Sequence, residues 1–246
     1  MPRFRWASLC AFLRARLSPA GYLGLHLTIG LLALTGSLFL FGAIAEDVMA
    51  AERITRLDVQ VSNWFHGHVA PLYTPFMQLV TDLHSTPGII VLCLLLAFYW
   101  MRRKEWDWLL TLVLTVPVGM LLNVLLKNVF QRARPSFDDT LLTLSSYSFP
   151  SGHTAAATLF YGVLAAYLIC RVKSWPWRAV IAMLAVLLVG LVGLSRIYLG
   201  AHYLSDVLAA MAAGSAWLAF SLTAAGTWRR RQMVLSDSRR SGKRKA

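Results

Sequence analysis

The chain has 246 residues, of which 57% are hydrophobic and only 14% charged, with a mean hydropathy of +0.58; an ordinary soluble domain carries about 25% charged residues. Its apolar residues fall in blocks of about 20, enough to cross a hydrocarbon core of ~30 Å, which excludes a chain of ordinary soluble domains. A net charge of +13 would suit a nucleic-acid partner, but the positions of the basic residues argue for a membrane surface instead.

In chain order, residues 1–21 carry Arg3, Arg5, Arg14 and Arg16, with no long apolar core before Pro19 and no small-residue cleavage site. That is the pattern of an interfacial amphipathic segment on the cytoplasmic side, not of a signal peptide. Apolar length predicts six spans, at about 22–45, 86–101, 107–128, 153–171, 178–198 and 203–227. The second is short, and the preceding "PLYTPFMQLVTDLHS" reads as a partly immersed helix ending near Pro87. Residues 46–85 form an outer-side segment. Within it, the mixed pattern around Arg53 and Arg56 predicts a solvated surface helix without a special role, and Trp64, His66, His68 and Asp82 are assigned to surface or interfacial packing. Trp and Tyr flank the spans in "FYWMRRKEWDW", "KSWPWR" and "TWRRR", as interfacial anchors do. Residues 228–246 are a basic tail suited to anionic lipid. The fold class expected is all-α, a polytopic six-helix bundle forming a single integral membrane domain over 1–246. Cys10, Cys93 and Cys170 are too few and scattered for a disulfide framework, and the apolar runs around Cys93 and Cys170 predict small core residues.

Placing both termini and the loops "RRKEWDW" and "RVKSWPWR" on one side collects all but six of the 24 Lys and Arg residues there, and the positive-inside rule makes that side the cytoplasm. The six exceptions are Arg53, Arg56, Lys127, Arg132, Arg134 and Arg196. The last four need a reason to lie at the outer ends of helices. Three stretches meet at that level: "KNVFQRARP" after span three, "PSGH" at the start of span four, and "SRIYLGAHYLSD" between spans five and six.

Each stretch has a chemistry. Pro135 disfavours helix at Arg134, so its guanidinium sits on an extended turn facing back toward Lys127; a planar fork and an ammonium make a phosphate receptor, or else a pair of lipid-headgroup contacts. A helix starting near Ser151 or Gly152 points free N–H groups and its positive dipole end at the same place, with Gly152 permitting close approach and His153 on the first turn. Ser151 as a plain N-cap is the blander reading, and the two can coexist. His202 and Asp206, four apart on one helical face at the start of span six, pair so that the carboxylate accepts the Nδ1 proton and leaves the other nitrogen free, as in an oriented nucleophile or a His-Asp interface pair. Arg196 is another cation within reach of phosphate oxygens, with Ser195 placed to orient it. No His-x-x-x-His pair or cysteine cluster is present and the cations already neutralise a phosphate, so neither a metal nor any other cofactor is expected.

Together these stretches resemble the type 2 phosphatidic acid phosphatase (PAP2) superfamily. Lys-x6-Arg-Pro is present as Lys127, Arg134 and Pro135, Pro-Ser-Gly-His as Pro150 to His153, and Ser-Arg-x5-His-x3-Asp as Ser195, Arg196, His202 and Asp206. The resemblance implies a metal-independent membrane phosphatase in which His202 attacks phosphorus to give a phosphohistidine and His153 protonates the leaving oxygen. Asp206 would hold the tautomer of His202, while Lys127, Arg134, Arg196, Ser151 and the Gly152 amide stabilise the phosphoryl oxygens. It also implies a bacterial inner membrane, with both termini cytoplasmic, an outward-facing site, and a polyprenyl phosphate or phospholipid substrate. Undecaprenyl diphosphate is the first choice; phosphatidylglycerol phosphate, phosphatidic acid and a lipid A phosphate are alternatives. A lipid-phosphate binder or transporter without turnover is the non-enzyme reading, disfavoured because His202 with Asp206 has no purpose in simple binding. Nucleic acid is not an expected partner.

Overall fold

A computed structural model describes residues 24–137 and 146–245, with side chains described as far as 232. The interfacial reading of residues 1–21, and Cys10 with it, lies outside the described residues. The described chain forms eight helices and no strand: α1 Leu25–Met49, α2 Arg53–Gly67, α3 Thr74–Leu83, α4 Thr86–Arg102, α5 Trp106–Phe130, α6 Gly152–Arg171, α7 Trp175–Tyr198 and α8 Leu204–Lys245. Five of these, α1 and α5 to α8, are long and apolar enough to cross a membrane, and α3 with α4, bent by 56° at their junction, meets the same measure only as a pair. The bend has a local cause. Ser85 leaves helical geometry and its hydroxyl accepts from the Gly88 amide at 3.4 Å, a true N-cap followed by Pro87 in the first turn of α4. The predicted tail is helical too, since α8 continues through it to Lys245.

Helix α6 is the axis of the bundle, packed by α5, α7 and α8, and α1 lies along α8. Small residues let these helices approach closely, because lipid supplies no hydrophobic drive between spans and dispersion contacts must replace it. Ala155, Ala156 and Ala157 on α6 and Ala209, Ala210 and Ala212 on α8 are all buried. A methyl group on Gly193 would sit 2.5 Å from Val207 Cγ1, so α7 and α8 are in contact where the third motif begins. Large apolar side chains such as Phe39, Leu32 and Val186 face outward, as lipid contact requires. Cys93 is partly buried, but Cys170 is exposed on the last turn of α6, contrary to the core position expected for it. The reason is general for spans. An apolar run faces protein on one side and lipid on the other, and the run itself does not distinguish the two.

Chain direction alternates from α4 to α8, so the loops α4–α5 and α6–α7 lie at one end and the three motif stretches at the other. At the basic end Arg171 pairs with Glu105, and Arg229 lies 4.3 Å from the ring centre of Trp108, which packs with Trp100 and Tyr167. This gathering of basic residues opposite the motif end is the asymmetry seen in the loop charges.

Candidate active site

Four helix ends and two connecting segments build the motif end. Helix α5 stops at Phe130 because Gln131 adopts a left-handed conformation (φ 44°), and the chain then runs extended through Arg132 to Pro135. Lys127, on the last turn of α5, donates to the carbonyls of Tyr147 at 2.5 Å and Ser148 at 3.3 Å. Arg134 donates through Nε to the Ser146 carbonyl at 2.7 Å, and through Nη1 to the Ala201 carbonyl at 2.6 Å and His202 Nε2 at 3.2 Å. Its Nη2 reaches Ser146 Oγ and the Tyr147 carbonyl. The fork therefore pins the segment before α6 to the turn before α8. Its N–H toward His202 Nε2 is the one that an entering phosphoryl group can redirect.

Ser151 occupies the N-cap position of α6, but its hydroxyl caps nothing; it accepts from Thr154 Oγ1 at 3.1 Å, while its own amide donates to the Asp206 carbonyl at 3.0 Å. The first-turn amides of α6 remain available to an anion, the condition under which a helix N-terminus binds one.

The α7–α8 turn carries the third motif. Gly200 at φ +68° reverses the chain, a conformation that costs an L side chain roughly 1–2 kcal/mol. His202 follows in the turn itself. Because α8 begins at Leu204, His202 and Asp206 do not share a helical face as the spacing predicts; the Asp206 carboxylate reaches back across the first turn to them. Its Oδ2 lies 3.3 Å from His202 Nδ1, accepts the Tyr203 amide at 2.9 Å and takes the Ser148 hydroxyl, and Oδ1 accepts Arg132 Nη1 at 2.7 Å. A carboxylate with that many donors stays ionised and rigid. Nδ1 of His202 donates to it, so Nε2 carries the lone pair that accepts from Arg134 and faces the cations. Burial holds His202 down at about 4 despite the opposing pull of Asp206, so the imidazole is neutral at neutral pH.

Arg196 is buried on the last turn of α7, and its hydrogen bond among the described residues is from Nη1 to Thr81 Oγ1 at 3.3 Å. Ser195 does not orient it directly, contrary to the expectation from sequence. Its hydroxyl meets Thr81 Oγ1 at 2.9 Å and donates to the Val192 carbonyl, so Thr81 on α3 positions both neighbours.

The structure also brings in residues that the motifs do not name. Arg132 places Nη1 on Asp206 and Ser205, and Nη2 on Asp58 at 2.8 Å, with its guanidinium 4.5 Å from the Tyr203 ring centre. Asp58, on α2, is fully buried and also accepts the Ser205 amide at 2.8 Å and hydroxyl at 2.5 Å. Helix α2 is a surface helix, but it is not without a role: it delivers a buried carboxylate to the base of the site. Arg132, a cation at the motif end and away from the other basic loops, was the available signal that an acid partner was near. His66 stacks on Phe137 at 4.1 Å and Trp64 on His68 at 4.5 Å, consistent with the packing expected of them.

Lys127, Arg134, Gly152, His153, Arg196 and His202 all line one cavity of about 890 Å³. It continues between α4 and α5 past Val124, Met120 and Val116 to Leu112, a run of about 22 Å along α5. Cations stand at the top and apolar side chains below. Among the described residues no group of three or more His, Cys, Asp or Glu side chains is set to hold a metal ion.

The PAP2 superfamily profile matches residues 108–230, half of the chain and all three motif stretches. The phosphatidylglycerophosphatase B of Bacillus subtilis (strain 168) is 34% identical over 183 residues, covering 72% of this chain and 88% of that protein. The chain belongs to the PAP2 superfamily. A crystal structure described as the first transmembrane PAP2 type phosphatidylglycerolphosphate phosphatase, from Bacillus subtilis, superposes with a TM-score of 0.68 at 28% identity. It covers 77% of this chain and 94% of the other. An undecaprenyl-diphosphatase of Sulfolobus acidocaldarius is 31% identical over 116 residues, spanning 45% of this chain and 52% of that one. This PAP2 protein is an integral membrane phosphatase.

Proposed function

We propose that this membrane lipid phosphatase removes the terminal phosphate from a glycerophospholipid monoester of the phosphatidylglycerophosphate type, at the outer face of a bacterial inner membrane. The observation that carries the reading is the single cavity in which a cationic, histidine-bearing end opens into a long apolar channel between two spans. A lipid enters it sideways with its phosphate uppermost. The preference for a glycerophospholipid over undecaprenyl diphosphate reverses the order that the family resemblance implied. It draws support from the extent of the likeness to phosphatidylglycerophosphatase B, which takes in 72% of this chain, more than the half that the family profile matches.

In the mechanism proposed, the lone pair of His202 Nε2 attacks phosphorus in line as the P–O bond to the lipid breaks, and His153 gives its proton to the departing alkoxide oxygen. Water then attacks the phosphohistidine, His153 takes the water proton, and inorganic phosphate leaves. Lys127, Arg134, Arg196, the Ser151 hydroxyl and the α6 amides hold the equatorial oxygens, as expected where phosphoryl transfer depends on positioning and electrostatics. Asp206 keeps His202 in the reactive tautomer. The outer placement follows from the opposition of the motif end to the basic end under the positive-inside rule.

The test is phosphate release by purified protein in detergent with EDTA, comparing phosphatidylglycerophosphate, phosphatidic acid and undecaprenyl diphosphate. Phosphatidylglycerophosphate is expected to give the largest kcat/KM; a larger value for undecaprenyl diphosphate would overturn the substrate assignment, and loss of activity with EDTA would overturn metal independence. The pH profile adds a second check. His202 has a folded value near 4, below the 6.5 of a free imidazole, so its lone pair is available above that value and is lost as pH falls through it. The acid limb of kcat/KM assigned to His202 is therefore expected near pH 4. Its stability contribution has the same sign, complete above about 6.5 and fading as pH falls toward 4. A half-maximal point near 6.5 would contradict a neutral, buried His202.

A further inference from the structure

Asn123 lies on α5 one turn before Lys127, about 6 Å deeper along the helix axis. It is 4% exposed, and neither its Oδ1 nor its Nδ2 has a hydrogen-bond partner among the described residues. The side chain lines the catalytic cavity and forms part of the wall to an adjoining apolar cavity of about 370 Å³ between α1, α5, α6 and α8. A methyl group built on Gly152 would lie 3.6 Å from Asn123 Oδ1 and 3.9 Å from Lys127 Cε. The carboxamide thus sits directly beneath the N-terminus of α6, beside the stem of the cation that faces the phosphate.

An unpaired amide among apolar side chains at membrane depth is costly, so its place in a cavity wall points to a ligand group that pairs with it. The depth restricts what that group is. With the phosphoryl group held at the level of Lys127 and the α6 amides, the next atoms of the substrate lie at Asn123. A polyprenyl diphosphate puts its second phosphate there, an acceptor-only group that leaves the carboxamide oxygen without a donor. A glycerol unit bearing the phosphate offers a hydroxyl a few bonds from phosphorus, and a hydroxyl both donates and accepts, as a carboxamide does.

We propose that Asn123 is a specificity-determining residue that reads the glycerol hydroxyl adjacent to the scissile phosphate, selecting glycerol-headed phosphomonoesters over polyprenyl diphosphates. The inference rests on the glycerophospholipid reading given under Proposed function. Its test compares kcat/KM of the wild type and Asn123→Leu on three lipids: phosphatidylglycerophosphate, the same lipid lacking the hydroxyl on the phosphate-bearing glycerol, and undecaprenyl diphosphate. In the wild type, removing the substrate hydroxyl is expected to lower kcat/KM about tenfold. The substitution should lower the ratio of phosphatidylglycerophosphate to undecaprenyl diphosphate turnover by a similar factor, and make the variant indifferent to the hydroxyl. Equal wild-type rates on the two glycerol lipids would overturn the proposal without any variant, so a poorly folding protein does not protect it. A variant that still discriminates the hydroxyl, or loses all three substrates in equal proportion, would also overturn it. Wild-type preference for undecaprenyl diphosphate would remove the substrate reading itself, an outcome visible before the variant is measured.

Discussion

His202→Ala is expected to lower phosphate release by about four orders of magnitude or more, the scale on which loss of a covalent nucleophile falls. Alanine removes the only atom proposed to bond phosphorus and leaves Asp206 with its other donors, the Ser148 hydroxyl, the Tyr203 amide and Arg132. The pocket keeps its cations, so the variant should still bind phosphate. His153→Ala separates the two halves of the reaction. With p-nitrophenyl phosphate, whose phenolate departs without help from an acid, the first step should survive while hydrolysis of the phosphohistidine slows. Labelled phosphate should then accumulate on the protein as an acid-labile, base-stable adduct, and the double variant His202→Ala/His153→Ala should carry none. Label on the double variant, or more than a hundredth of wild-type release by His202→Ala, would remove His202 from the nucleophile's role.

The parts of this site that the sequence disclosed are those held by local spacing. Pro135 stops helix near Arg134, "PSGH" opens α6, and four residues separate His202 from Asp206; each of these was readable because neighbours in sequence remain neighbours in space. The span count was legible for a similar reason, since crossing a bilayer demands an unbroken apolar length and leaves basic residues at one end. What escaped is set by distant contacts. Asp58 meets Ser205 and Arg132 from a helix whose pattern is that of an ordinary surface segment, and nothing in its immediate sequence separates it from Asp47 or Glu52. Thr81 supports Ser195 and Arg196 across the bend between α3 and α4 in the same way. Cys170 was misplaced because helices apolar on every face carry no mark of which side meets lipid. The Asn123 amide is a further case, since its significance depends on lacking partners rather than on having them.

The largest effect on stability is expected at Arg132. Its guanidinium joins two fully buried carboxylates, Asp58 at 2.8 Å and Asp206 at 2.7 Å, and burial alone would disfavour its charge, but those carboxylates hold it above the ordinary arginine range. Arg132→Leu leaves two buried negative charges without their cation, a change that costs about 3–5 kcal/mol when one partner of a buried pair is removed. Asp58→Asn is different in kind. It leaves Arg132 paired one to one with Asp206, so no buried charge is stranded and the expected loss is about 1–3 kcal/mol, that of weakened hydrogen bonds to Ser205. The two changes should therefore be non-additive. In Arg132→Leu/Asp58→Asn one of the two stranded charges is gone, and the double variant should unfold at a higher temperature than Arg132→Leu alone, which makes the interaction energy larger than the roughly 1–3 kcal/mol that Asp58→Asn costs by itself. Thermal unfolding of the four proteins in one detergent measures this. A double variant less stable than Arg132→Leu by the full cost of Asp58→Asn would mean that Asp58 and Arg132 act independently, and that α2 contributes packing rather than a charge coupled to Arg132. Activity should follow the same order, because Arg132 is the link that holds Asp206 against His202, and loosening it lowers kcat more than it raises KM.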